Sequence, residues 1–265
     1  MTAPGIPNEY AISTHCFGSR LTTIEDQVFA AVAMGFRKLE IGLSETPPDM
    51  EKLDDARQET GIDVRSMVIG CRDIQNGLPH LVRLAATASD ERERAMNCVR
   101  RHVRLARAWQ CRTVILRGCR IEDQRLAKRG AELDQRAARE GLSDEHRADL
   151  VEHCAKVSKA AQRQAEQLCR TLHHLMCETP DIRFAIEPGD GACDLLTFEV
   201  LGWVMDDLGR KGLGYWHDVG RTHLRQKLGL PGQGEWLDAY GSRTLGTHIC
   251  DATASEPGMP IGMGE

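Results

Sequence analysis

Three apolar runs decide the reading of this chain: Arg183-Phe184-Ala185-Ile186-Glu187, Leu213-Gly214-Tyr215-Trp216-His217-Asp218 and Leu245-Gly246-Thr247-His248-Ile249-Cys250-Asp251. Each reads as a buried strand whose last residues are acid or imidazole, followed by Gly or Pro and then a helical stretch. Strands that alternate with helices predict a parallel sheet, and in α/β barrels the chemistry sits at the C-terminal ends of the strands.

The same alternation extends towards the N-terminus. Tyr10 to Phe17 reads as a first strand ending at His15-Cys16. A helix capped by Thr22 or Thr23 follows, with Ile24, Val28, Ala31 and Val32 on its apolar face and Gly35 closing it. Lys38 to Leu43 is a second strand, Met50 to Thr60 a helix ended by Gly61, and Val64 to Ile69 a third strand. Asp90 can cap the next helix, which runs to Trp109, and Thr113 to Gly118 is a fourth strand. Asp149 to Met176 is expected as one long helix with a buried stripe at Leu150, Val151, Val157, Ala161, Leu168, Leu172 and Leu175. A helix from Asp194 to Leu208 precedes the sixth strand, and shorter turns at 222–228 and 235–240 precede the seventh. Residues 120–146 are charged, with Ala as the main nonpolar residue, and form an exposed excursion or helical lid.

The fold class that follows is α/β, a TIM-type (β/α) barrel in one domain over residues 1–265. Seven strands are countable, ending near Cys16, Leu43, Gly70, Gly118, Glu187, Asp218 and Asp251. The eighth βα unit is expected to be missing, so the barrel would be C-terminally incomplete, with strands one and seven left as edges.

Bulk composition excludes several function classes. With 28% charged and 41% hydrophobic residues the 265-residue chain is of ordinary globular type. A net charge of −5 supplies no global basic field for nucleic acid. Met1-Thr2-Ala3-Pro4-Gly5 opens onto a polar segment rather than a secretory signal, and no run approaches the roughly 20 apolar residues of a membrane helix. The ten cysteines contain no Cys-x-x-Cys pair. They read as small packing residues in a reducing compartment, and a cytoplasmic location follows. Gly262-Met263-Gly264 has no strand leading into it and no helix after it, so it is not a phosphate loop.

Glu187, Asp218 and His248 offer two carboxylates and an imidazole at three strand ends, the donor set of a divalent cation with positions left open for water and substrate. Singly, each has a structural role open to it: Glu187 as a helix cap, Asp218 holding the turn at Gly220, His248 as a satisfied core histidine. His15, Arg117, Arg221 and Asp251 complete the set as substrate-binding candidates. Arg221 brings a fixed positive charge, suited either to an acidic or phosphorylated substrate or to an ion pair with a neighbouring carboxylate. His217 should face away from Asp218, because strand side chains alternate. Glu40 lies mid-strand and is read as a buried ion pair with a neighbouring arginine instead of a substrate contact. Trp203 and Trp216 are assigned to the core. Trp236 either packs a helix on the barrel wall or lines the pocket, and His102, His153, His173 and His174 are helical packing or surface residues.

The stretch from Gly214 to Gly220, followed by Glu235-Trp236-Leu237 and Gly246 to Asp251, resembles the xylose-isomerase-like TIM barrel superfamily of sugar isomerases, epimerases and inosose dehydratases, with the AP endonuclease IV group as a distant relative. Met34 to Ile41 and Asp90 to Ala108 extend the resemblance. It implies a Mn, Mg, Co or Zn site in which Glu187, Asp218 and His248 match three ligands, with Glu187 doubling as the base. The fourth ligand of the family lies on the eighth strand. The implied function is a metal-dependent isomerase or epimerase of a small sugar or polyol, acting by proton transfer next to a carbonyl, in a homo-oligomer. Two alternatives stand beside it: an AP-endonuclease-like metal phosphodiesterase, and a non-catalytic barrel whose degenerate metal site binds a small ligand or partner. Arg221 stands where many members have His, and the loop at Ser255 to Met259 lacks an Asp-x-His found in some relatives. Both departures count against a multinuclear phosphodiesterase centre, and Arg221 favours the non-catalytic alternative.

Overall fold

The computed structural model describes residues 7, 9–18, 20–43, 49–70, 83–189, 191–253 and 257–264. Met1 to Gly5, Cys71, Ser255 and Glu256 lie outside them. Seven strands run parallel in the order of the chain: β1 (Ile12–Ser13), β2 (Lys38–Ile41), β3 (Asp63–Gly70), β4 (Thr113–Arg117), β5 (Arg183–Glu187), β6 (Gly214–Asp218) and β7 (Thr244–His248). Helices intervene: α1 (Ile24–Ala33), α2 (Met50–Thr60), α3 (Ser89–Ala108), α4 (Gln124–Glu140), α5 (Asp144–Ala160), α6 (Gln162–Glu178), α7 (Phe198–Leu208), α8 (Val219–Lys227) and α9 (Gln233–Tyr240). Among the described residues β1 and β7 are the two edges of the sheet and no eighth strand joins them. Past β7 the chain turns into a short antiparallel pair, β8 (Asp251–Ala252) with β9 (Pro257–Met259), which packs on α8.

Strand periodicity sorts the side chains into two layers. Leu39, Ile41, Val64, Met67, Ile69, Val114, Leu116, Phe184, Ile186 and Tyr215 join the large core shared with the helices. The opposite face carries a smaller cluster, Val68, Ile115, Ala185 and Trp216, with Leu43 and Leu245 against it. Paired registers keep these faces aligned from strand to strand: Val68 with Ile115, Ile115 with Ala185, and Trp216 with Gly246. Gly246 is required there, because a Cβ at this position would fall 2.2 Å from the Trp216 ring. The indole thus lies across the inner face of β7, which no larger residue would permit.

Several helix starts follow ordinary capping chemistry. Thr23, Asp49, Asp123, Ser143, Thr197 and Asp218 each accept a backbone N–H of the following first turn. Gly61 ends α2 at φ +69°, the left-handed conformation that favours glycine.

The structure corrects five expectations about the elements. The long helix at 149–176 is two helices that break at Ala161. Ser158 bonds back to the Cys154 carbonyl and contacts Thr197 Oγ1, and the Ala161 N–H turns to the Ser158 carbonyl, tightening the last turn of α5. Val151 is 48% exposed rather than part of the buried stripe. Ala88, not Asp90, precedes α3, and Asp90 lies in its first turn, where its charge suits the helix dipole. Asp194 does not begin a helix; its carboxylate holds the Leu196 and Cys119 N–H groups, and α7 starts four residues later. Only two residues of the first run are strand. Ser13 accepts the His15 N–H, and Thr14–Phe17 tighten into a 3-10 turn.

The charged segment 120–146 is largely helix α4, anchored rather than free. Ala127 and Leu133 are buried, and both oxygens of Asp134 accept the Ala192 N–H beyond β5. No helix among the described residues is long and apolar enough to cross a membrane.

Candidate metal centre

The inward parity that buries Ile115, Ala185 and Trp216 delivers the next inward residues, Arg117, Glu187 and Asp218, to the C-terminal rim. Register pairs Arg117 with Glu187 and Asp218 with His248. Glu187 is fully buried, and Arg117 and Asp218 are nearly so. Glu40, from the inner face of β2, completes the group and accepts the Ser66 hydroxyl at 2.8 Å.

The contacts form one connected network. Arg117 Nε donates to Glu187 Oε2 at 3.0 Å, and Arg117 Nη2 lies 3.4 Å from His248 Nδ1. His248 Nδ1 is 3.4 Å from Glu187 Oε1 and 3.6 Å from Asp218 Oδ2, and its Nε2 is 3.1 Å from Glu40. Arg221 Nε lies 3.2 Å from Asp218 Oδ2 and 3.4 Å from Glu187 Oε1. Asp218 also caps α8, accepting the Arg221 N–H at 2.9 Å through Oδ1, so both ends of Arg221 are tied to the same carboxylate.

These contacts set the protonation of the site. Burial alone would raise Glu40, but the His248 charge and hydrogen bond, then Ser66 and Arg117, bring it down to about 2. Burial likewise opposes the charge on Asp218 and on His248. His248 and Arg221 nonetheless hold Asp218 well below the usual carboxylate range. Glu40 and Glu187, then Asp218, hold His248 well above the usual imidazole range. Three carboxylates thus face two guanidiniums and an imidazolium, a balanced set in a poorly solvated place.

The donors also suit a divalent ion. One ligand atom from each of Glu187, Asp218 and His248 lies within 4.8 Å of the others. Ligands about 2.1 Å from a tetrahedral ion stand about 3.4 Å apart, and His248 Nδ1 stands 3.4 and 3.6 Å from its two carboxylate neighbours. Glu40 at Nε2 leaves Nδ1 turned to the carboxylates, the carboxylate–histidine arrangement that orients imidazole ligands.

His15 is exposed on the 3-10 turn after β1, with Nδ1 3.2 Å from the Leu43 carbonyl. Arg117 and Arg221 both reach the carboxylate cluster. Asp251 is engaged elsewhere: its Oδ2 accepts the N–H groups of Gly262 and Gly264 and ties down the chain beyond β9. Glu40 pairs with His248 and Ser66 rather than directly with an arginine, because the inner face of β2 looks across to the end of β7. In the sequence Glu40 lies mid-strand between Leu39 and Ile41, and an acid inside an apolar strand was the signal available there. His217 does face outward, 2.9 Å from the Tyr215 hydroxyl. Trp216 is buried as expected, whereas Trp203 is 44% exposed on α7. Trp236 takes the wall position, stacked on Tyr215 at 6.1 Å. Cys250, grouped with the packing cysteines, puts Sγ 3.7 Å from Asp218 Oδ1.

A family model described as xylose isomerase-like TIM barrel matches residues 28–265. Among solved structures, the chain resembles a D-tagatose 3-epimerase-like protein at 14% identity and a TM-score of 0.61, covering 96% of this chain and 81% of the other. It resembles the IOLI protein with a binding zinc atom at 13% identity and a TM-score of 0.56, covering 96% and 75%. A xylose isomerase-like TIM barrel/4-hydroxyphenylpyruvate dioxygenase fusion protein gives 15% identity and a TM-score of 0.58, over 92% of this chain and 31% of that one. No curated protein matches. At these identities the structural likenesses speak for the fold. The family match spans most of the sequence, and the chain belongs to the xylose isomerase-like TIM barrel family.

Proposed function

We propose that this member of the xylose isomerase-like TIM barrel family is a divalent-metal-dependent isomerase or epimerase of a small sugar or polyol. The observation that carries the reading is the convergence of Glu187, Asp218 and His248 at the rim of the sheet with ligand-like spacing. Glu187, Asp218 and His248 would hold the ion, be it Mn, Mg, Co or Zn. When bound, such an ion polarises a substrate carbonyl or hydroxyl and orients two of its oxygens.

The protein's own groups account for the rest. Glu187 is the base: its buried carboxylate, paired with Arg117, can take a proton from the carbon next to a carbonyl and return it. Glu40 orients His248. Trp216 closes the floor beneath the cluster with an apolar surface suited to the carbon face of a sugar, its ring 5.3 Å from that of His248. His15, exposed on the turn after β1, would meet substrate hydroxyls. The names of the neighbours, an epimerase-like protein and a zinc-bearing one, agree with this reading.

The test is solvent exchange. Metal-free protein is supplied in turn with Mn, Mg, Co and Zn and with a panel of ketoses and polyol-derived ketones in heavy water, and deuterium at the carbon beside the carbonyl is followed by NMR. Incorporation that is lost on chelation and in Glu187→Gln supports the proposal. Ion binding without incorporation on any substrate favours a non-catalytic barrel, the reading suggested by the complete matching of carboxylates with cations. Failure to bind any ion overturns the metal-dependent reading.

A further inference from the structure

Arg221 occupies the electrostatic place of the ion. Its Nε approaches Asp218 Oδ2 and Glu187 Oε1 at 3.2 and 3.4 Å, and these are the two oxygens that face His248 Nδ1. A divalent ion bonded to the same oxygens at about 2.1 Å would share its ligands with a guanidinium whose side chain is only 13% exposed. Solvent screens like charges poorly in such a position. Ion and guanidinium therefore compete for one pair of carboxylates.

The local structure makes the competition a matter of side-chain rotation. The backbone N–H of Arg221 stays fixed on Asp218 Oδ1 as part of the α8 cap. The void beside the side chain, lined by Pro188, Tyr215, Thr222, Arg225 and Trp236, measures only about 10 Å³. It is too small to receive a guanidinium, so the displaced side chain must swing towards the barrel mouth, where substrate would enter.

We propose that Arg221 is a resident counter-cation of this centre, and that a divalent ion binds by displacing its side chain from Glu187 and Asp218. This rests on the reading that Glu187, Asp218 and His248 hold an ion, and adds what that ion must expel. Arg221 stabilises the centre without metal, weakens its affinity for metal, and delivers a positive charge to the mouth once metal is bound. An anionic group on the substrate would be drawn to that charge.

The experiment is calorimetric titration of the metal-free full chain with manganese chloride and with zinc chloride, alongside thermal melting without metal. Arg221→Met keeps most of the bulk and removes the charge. It is expected to bind one ion per chain on the order of tenfold or more tightly than wild type, and to melt at a lower temperature without metal. Arg221→Gln, smaller and polar, is expected to shift affinity the same way and serves if the Met variant does not fold. Equal affinity in wild type and the folded variant overturns displacement while leaving the metal site standing. Absence of binding in wild type, Arg221→Met and Arg221→Gln alike overturns the metal site and the proposal together. His248→Ala should abolish the tight binding gained in Arg221→Met, and retained binding there would place the ion elsewhere and overturn the proposal.

Discussion

His248 Nε2 lies 3.1 Å from both carboxylate oxygens of Glu40, a residue 208 positions earlier in the chain. The contact joins the end of β7 to the inner face of β2. It thus links opposite parts of the sheet across the rim, although their strands do not pair. It also sets which nitrogen of His248 faces Glu187 and Asp218, so the geometry of the proposed ion site depends on a residue outside it.

The pair predicts the pH dependence of stability in metal-free protein. Glu40 titrates near 2 when folded against an ordinary 4.5, so its contribution is present above about pH 4.5 and lost as the pH falls towards 2. His248 is raised above its ordinary 6.5, so its contribution is full below about 6.5 and lost as the pH rises through the higher folded value. Melting temperature against pH should therefore show a plateau between these arms. In Glu40→Gln the alkaline arm should move to lower pH. An alkaline arm unchanged in that variant would show that Glu40 does not hold the charge on His248.

Gly246→Ala tests the floor of the site. A Cβ there meets the Trp216 ring at 2.2 Å, and the indole has little room to retreat in the inner cluster. Overpacking of this kind costs about 1–3 kcal/mol, to be read as a lower urea midpoint with unchanged slope. Gly234 in α9, with nothing within 4 Å of an added Cβ, is the control, and Gly234→Ala should leave the midpoint unchanged or slightly higher through helix propensity.

Arg225 clamps the loop that follows the candidate base. It is buried, donates to the Gly189 carbonyl at 2.5 Å, and lies 5.5 Å from the centre of the Trp236 ring. Arg225→Met should lower stability by about 1–3 kcal/mol through the orphaned carbonyl and the lost ring contact. Chemical denaturation measures this directly. A loss below about 0.5 kcal/mol would mean that water replaces the guanidinium freely.

Thiol labelling of native protein, followed by peptide mapping, should mark Cys177 first and Cys16 after it: both are exposed, but desolvation pushes the Cys16 thiol up. Cys111 and Cys119 are buried, and burial pushes the Cys111 thiol up, so neither should react before unfolding. Early labelling of Cys111 would reveal local opening between α3 and β4.

Periodicity made the sheet legible. Runs such as Phe184 to Glu187 and Tyr215 to Asp218 are short, largely apolar and end in acid, so strand identity and terminal residues could be assigned without coordinates, and the outward turn of His217 followed from the alternation of side chains along a strand. Cap residues and Gly61 marked helix ends for similarly local reasons. Features set by side-chain competition were less legible: Ser158 drawing back on its own helix to end α5, or Ser13 converting a strand into a 3-10 turn.

The chain by itself determined that Glu187, Asp218 and His248 fall at equivalent points of successive βα units, because strand parity and sheet order are local and repetitive properties. Only the tertiary structure decided what those groups meet. The curl of the sheet brings Glu40 of β2 to His248 of β7, and sets Arg117 and Arg221 on opposite oxygens of Glu187. Such distances depend on how seven strands bend around a shared core, and no spacing along the chain encodes them. The charge balance of the centre, and with it the competition between guanidinium and ion, is therefore a property of the folded molecule.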